Sequence, residues 1–123
     1  MRVATLALAV GFALFLAVRA GAAELVMVEQ TGCHWCARWD AEIGVVYAKT
    51  EQGKRAPLRR IDIHEKLPPD LSAIELGWFT PTFILVEDNR EIARLRGYPG
   101  EDFFWGLLDR MIEKLPDEPG RSS

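Results

Sequence analysis

Cysteine is nearly missing from this 123-residue chain: there are two, Cys33 and Cys36, with two residues between them. The stabilisation a disulfide gives grows with the loop it closes, so stapling is a poor reason for this pair. Basic residues do not dominate either, with 15 Lys and Arg against 18 Asp and Glu and no basic stripe. Nucleic-acid affinity comes largely from neutralised phosphates, so that class is set aside. Heptads, short repeats and biased tracts are absent, which removes coiled-coil, collagen-like and disordered classes. What remains has the length of one small domain with a modest core.

Long apolar runs are also absent, with one exception. Val3 to Val18 is apolar apart from Thr5, follows Met1-Arg2, and leads into Ala20-Gly21-Ala22-Ala23. A positive start, an apolar stretch and small residues together make a secretory signal. The run falls short of the ~20 residues that span a bilayer, so a retained membrane anchor is the lesser reading, and Arg19 in the cleavage region is what favours it. The expected organisation is a signal at 1–23, a domain at 24–116 and a polar tail at 117–123. Removing Arg2 and Arg19 leaves a more acidic chain. It would work outside the cytoplasm, in the periplasm of a Gram-negative source, where disulfides persist unless something reduces them.

Leu25 to Glu29 is a short β-type run broken by Gln30-Thr31-Gly32. Trp35, Trp39, Ile43, Val46 and Tyr47 then recur at helical spacing, and Gly53 is expected to end that helix. Leu58 to Ile63 alternates as a strand. Pro68-Pro69-Asp70 opens a short helix with Leu71, Ile74 and Leu76 inward and Gly77 at its close. Thr82 to Val86 and Glu91 to Arg96 form a hairpin around the polar residues 87–90, and Gly97-Tyr98-Pro99-Gly100 is a loop. A last helix begins near Asp102 and buries Phe103, Phe104, Leu107, Leu108, Met111 and Leu115. The order β-α-β-α-β-β-α predicts an α/β fold, a four-stranded mixed sheet flanked by three helices, its first strand pair parallel through a right-handed crossover.

Cys33-His34-Trp35-Cys36 lies between a strand and a helix. Unpaired amides and the dipole at a helix start favour an anion, and a thiolate is one. Cys33, at the solvent end, is the candidate nucleophile. Cys36, one turn deeper, is placed to attack a mixed disulfide on Cys33 and resolve it. Sulfur alone carries this chemistry, so neither cofactor nor metal is expected.

A C-x-x-C motif of this context, with Thr80-Pro81 some forty-five residues later, resembles the thioredoxin superfamily. Residues 28–33, 36–44, 57–63, 80–83 and 97–105 are similar, more narrowly, to the periplasmic thioredoxin-like members that accompany bacterial thiosulfate oxidation. The resemblance implies a minimal thioredoxin-like fold and carries over Cys33 as nucleophile, Cys36 as resolving thiol and Pro81 as a cis-proline facing them. It also implies that Thr80 lends its backbone to a substrate chain and that Gly97 leaves room for it. Cis peptides are essentially confined to X-Pro bonds, which is why a proline is needed there. The implied partners are a cysteine-bearing sulfur carrier protein, kept active by reduction, and a membrane thiol transporter that donates electrons; a monomer is expected.

Three departures from ordinary thioredoxin matter. Gly32 replaces the usual Trp, His34-Trp35 replaces Gly-Pro, and Met27 stands where a buried acid assists the resolving thiol. Glu29 is the nearest carboxylate in sequence. His34 either stabilises the Cys33 thiolate when protonated or is an exposed residue of small effect. Trp35 reads as a platform for a partner and Trp39 as core. Of Trp78 and Phe79, one is expected to pack under the proline loop and the other to meet a partner. Lys54-Arg55 and Arg59-Arg60 read as solvated charges.

Three other functions compete. A metal module would use Cys33, Cys36, His34 and His64, but a second C-x-x-C pair is missing. A binding or chaperone-like protein with an incidental disulfide would survive loss of Cys33. A general disulfide oxidant or isomerase would share every site residue and differ in potential and partner.

Overall fold

In a computed structural model of the chain, residues 22–116 are described. The tail at 117–123 and nearly all of the expected signal at 1–23 lie outside them. Among the described residues no helix is long and apolar enough to cross a membrane.

Strand β1 (Glu24–Glu29) holds four consecutive buried residues, Leu25 to Val28, because both faces of the sheet are covered. It pairs in parallel with β2 (Leu58–Asp62) and antiparallel with β3 (Thr82–Glu87), and β4 (Arg90–Arg96) pairs with β3. The sheet order is β2-β1-β3-β4. Side chains alternate across a strand, so Leu25 and Met27 join Phe83 and Leu85 on one face, while Val26 and Val28 join Ile84 and Val86 on the other. The first face is covered by α1 (His34–Trp39) and by α3 (Glu101–Ile112), with Trp39, Phe83 and Phe104 in mutual ring contact. Ile61 of β2 adds to the second face, which Leu71 and Ile74 cover.

The expected mixed sheet and flanking helices are present, with local differences. The helix running to Gly53 is interrupted: α1 passes into a π-turn at Asp40–Gly44, a 3-10 turn at Tyr47–Lys49, and a separate α2 (Glu51–Arg55). Trp39, Ile43 and Tyr47 are all buried, and their four-residue spacing drifts about 40° per step on an α-helix. A wider π-turn reduces that drift and keeps all three inward. Trp35 and Val46, read as members of the same face, are exposed. Gly53 does not end a helix; it lies inside α2, where the Thr50 hydroxyl caps its amide at 3.0 Å.

The short helix expected after Pro68 is a single 3-10 turn, Pro69–Leu71. Pro68 and Pro69 remove two amide donors, and a segment this short does not sustain a helix on its own. Its Ala73 amide donates instead to the Asn89 side chain at 2.9 Å. Asn89 belongs to the β3–β4 turn, where Asp88 and Asn89 both have positive φ, as a two-residue hairpin turn requires. In α3, Phe104, Leu108 and Met111 are buried as expected, but Phe103 is 70% exposed and Trp105 takes its place against the core, stacked on Tyr47.

Candidate functional site

The C-terminal end of β1 delivers the chain into a turn in which Gly32 has a φ of 79°, and the next residue caps α1. That residue is Cys33. Its sulfur is bonded to Cys36, with Cα atoms 5.2 Å apart, and accepts a hydrogen bond from the Cys36 amide at 3.1 Å. Cys36 is buried within the main core, at 4% exposure, while Cys33 is only partly covered. The two sulfurs are therefore unequal in access, as one turn of helix dictates. A cleft of about 450 Å³ opens beside them, lined by Glu29, Gln30, His34, Ala37 and Asp40 among others.

The Thr80-Pro81 peptide is cis. Antiparallel pairing of Val28 with Thr82 sets this loop beside the loop after β1, and the Gln30 side chain donates to the Thr80 hydroxyl at 2.7 Å. The Gly97 amide donates to the Pro81 carbonyl at 2.7 Å, so the turn after β4 is tied to the same loop. Gly97 has a φ of 78°, and a Cβ there would lie 3.6 Å from the Phe79 ring. Three segments distant in sequence thus meet at one end of the sheet.

His34 is exposed, its ring set edge-on to Trp35 at 5.5 Å. Trp35 is half exposed, and the Arg38 guanidinium lies 5.4 Å from its ring centroid. Arg38 is held in turn by Glu42 at 2.6 Å, and Glu42 accepts from the Tyr98 hydroxyl at 3.3 Å. Burial, and then the Glu42 carboxylate, push the Tyr98 phenol up to about 12, so it remains a donor throughout the physiological range.

Met27, expected from the resemblance to stand where a buried acid assists the resolving thiol, is fully buried and apolar. Glu29 borders the cysteine cleft, but its carboxylate is occupied by Arg60, whose Nε donates to both oxygens at 3.1 and 3.0 Å. Arg60 also bonds both oxygens of Asp40, at 2.7 and 3.0 Å. Arg59 and Arg60 are therefore not simply solvated: Arg59 pairs with Asp70 and Glu24, and Arg60 bridges the two carboxylates of the cleft. Sequence reading missed Asp40, Arg60 and Gln30, because only strand register and helix phase bring them to the cysteines. Trp78 and Phe79 are both exposed, at 94% and 58%, so neither packs under the loop as one was expected to. Among the described residues no group of three or more His, Cys, Asp or Glu is arranged to hold a metal ion.

A mixed sheet of this order, a C-x-x-C disulfide at the start of its first helix and a cis-proline loop at the same sheet end define a thioredoxin-like thiol-disulfide oxidoreductase. No family model and no curated protein matches the chain. Solved structures do. The periplasmic thioredoxin SoxS from Paracoccus pantotrophus, in its reduced form, is 46% identical over 75% of this chain and 97% of its own, with a TM-score of 0.69. Thioredoxins from Malassezia sympodialis and Fasciola hepatica share the fold at 17% and 18% identity, each with a TM-score of 0.55, covering 76% and 74% of this chain and 77% and 82% of theirs. The chain belongs to the thioredoxin superfamily, with SoxS-like character.

Proposed function

We propose that this protein is a periplasmic reductase of a cysteine-bearing sulfur carrier protein in thiosulfate oxidation, acting through a mixed disulfide on Cys33. The observation that carries the reading is the unequal access of the two sulfurs, Cys36 buried and Cys33 partly open, together with the similarity to SoxS. Starting from the dithiol, the Cys33 thiolate attacks one sulfur of the partner's disulfide and releases the other as a thiolate. Cys36 then attacks the Cys33 sulfur, frees the partner's second thiol and closes the Cys33–Cys36 bond. Two electrons and two protons leave the protein, and a membrane thiol transporter restores them.

The Cys36 amide that points at the Cys33 sulfur supports the nucleophile assignment, because a donated hydrogen bond favours the thiolate. Thr80 and Pro81 present backbone to the partner's chain, Gly97 keeps that approach open, and His34 and Trp35 border the sulfur. With Met27 apolar and Glu29 engaged by Arg60, solvent in the cleft takes the Cys36 proton. Residues 1–23 act as the cleaved signal.

Replacing Cys36 with Ser removes resolution and leaves the partner attached. Acid trapping of Cys36→Ser in the native cell, followed by mass spectrometry, is expected to yield the sulfur carrier protein on Cys33. A broad set of secreted proteins would instead make it a general oxidoreductase, and no adduct would overturn the catalytic roles.

A further inference from the structure

Strand β4 is an edge of the sheet, so alternate backbone N–H and C=O groups along it point away from β3, with no further strand among the described residues to receive them. Beside that edge, between β4 and the C-terminal half of α3, runs a groove of about 250 Å³. Ala93, Leu95, Leu107 and Met111 give it an apolar lining, and Arg110 and Lys114 stand at its side. Arg110 is ten residues past Gly100, so at the helical rise it lies about 15 Å along α3 from the cysteine end of the sheet.

Charge is divided between the two sides of α3. At 3.6 residues per turn, Asp102, Asp109 and Glu113 share the side toward α2, where Asp109 accepts from Gln52 at 2.9 Å. Leu107, Arg110 and Lys114 share the side toward β4, which carries no acid. Arg110 and Lys114 are exposed, and neither has an ion-pair partner among the described residues. Strand β4 itself holds three arginines against one acid, Glu91, which Arg94 engages. On a chain with more acidic than basic residues, this edge is a local excess of positive charge.

The arginines of β4 refuse a second copy of the same strand. Twofold pairing of β4 with itself sets residues equidistant from its centre opposite each other. Centred on Ile92, Ala93, Arg94 or Leu95, it opposes Arg90 to Arg94, Arg90 to Arg96, Arg94 to Arg94, or Arg94 to Arg96. Like charges directly opposite destabilise a strand pair, whereas opposite charges support it. A lipid surface would meet the cations but offers no backbone to a concave sheet edge. An acidic strand satisfies both.

We propose that β4 receives an extended segment of a partner protein as an added strand, with apolar side chains in the groove and a carboxylate within reach of Arg110 and Lys114. Main-chain pairing supplies affinity in such a contact, and the side chains on the groove face supply selection. The contact is remote from the cysteines and independent of sulfur exchange, so a partner can stay held while its disulfide is reduced.

The test titrates the oxidised, isotope-labelled protein with capped seven-residue peptides and follows its backbone amides by NMR. Thr-Val-Thr-Glu-Thr-Val-Thr places two valines and one glutamate on a single face whichever way the strand runs. It is expected to shift the amides of β4 and of residues 107–114, and to bind about tenfold more tightly than its Lys counterpart, a difference of about 1.4 kcal/mol. Arg110→Glu with Lys114→Glu should invert that preference, and replacing both valines with glycine should abolish binding. The two exposed substitutions leave the reduced protein's rate with dithiobis(nitrobenzoate) unchanged. Equal affinity for the Glu and Lys peptides, or shifts confined to residues 80–81 and 97–98, overturns the proposal. So does protection of the same amides by phosphatidylglycerol vesicles and not by peptide, or a β4-mediated dimer of the protein alone. Because binding is read on the oxidised form, its failure leaves the oxidoreductase reading intact, and only failure of the reduced form to react with the small disulfide overturns that reading.

Discussion

A methyl group placed on Gly53 would lie 1.9 Å from the carbonyl oxygen of Tyr47 and 2.7 Å from its carbonyl carbon. The 3-10 turn Tyr47–Lys49 backs directly onto α2 there, and backbone cannot step aside as a side chain can. Gly53→Ala is expected to cost at least the upper end of the about 1–3 kcal/mol typical of overpacking. Gly106→Ala, in α3 with nothing within 4 Å of its added methyl, should instead stabilise by about 0.4–1 kcal/mol. Urea midpoints of the two variants check the contrast.

Arg60 stands between Glu29 and Asp40 at the cysteine cleft. Its replacement by Met leaves two carboxylates facing each other beside Cys33 and disfavours a thiolate there. The pairs are partly exposed, so the stability change should stay within about 1 kcal/mol. The larger effect is expected in chemistry: alkylation of Cys33 by iodoacetamide at neutral pH slows severalfold in the reduced Arg60→Met protein. An unchanged rate would mean that the cluster has no influence on the nucleophile.

Tyr98 should mark the alkaline limit of stability. Its phenol is pushed up to about 12, mainly by burial, so the folded chain keeps a proton that the unfolded chain releases from about pH 10. Stability is complete below about pH 10 and declines as pH rises through about 12. Tyr47, raised in the same direction by burial, adds to the slope. Tyr98→Phe removes one of the two titrations, and its melting temperature should fall less steeply across this window.

Met27→Asp should not convert this protein into an ordinary thioredoxin. The side chain at this position is fully enclosed, and burial of a carboxyl without a partner costs several kcal/mol, on the order of 2–7 for a polar group. A large drop in the urea midpoint is expected, whereas Met27→Leu should lose less than about 1.5 kcal/mol. In the wild type, resolution by Cys36 should accelerate smoothly with pH and show no separate step in the carboxylate range, as stopped-flow measurements of mixed-disulfide decay would reveal.

The strands were legible because short β-type runs bounded by turn residues are local signals: Leu25 to Val28, Thr82 to Val86 and the Asp88-Asn89 turn all fall where the pattern predicts. The helices were legible only as periodicity. Nothing local announces that four-residue spacing of Trp39, Ile43 and Tyr47 will be met by a π-turn, or that the segment after Pro68 will satisfy its backbone through Asn89. Phe103 shared the helical period of the core and still faces water, since periodicity marks a face without saying how wide the covered stripe is.

By itself the sequence determined the dithiol chemistry, because two cysteines at a strand-to-helix junction are a signal that acts over a few residues. The fold that carries it was legible through element order and through the resemblance that Thr80-Pro81, far along the chain, completes. Tertiary structure alone decided which other groups attend that chemistry. Arg60 reaches the cleft through the parallel register of β1 and β2, and Gln30 meets Thr80 across the sheet end. Those neighbours are set by strand order and register, which depend on how the whole core packs and not on any short stretch of chain.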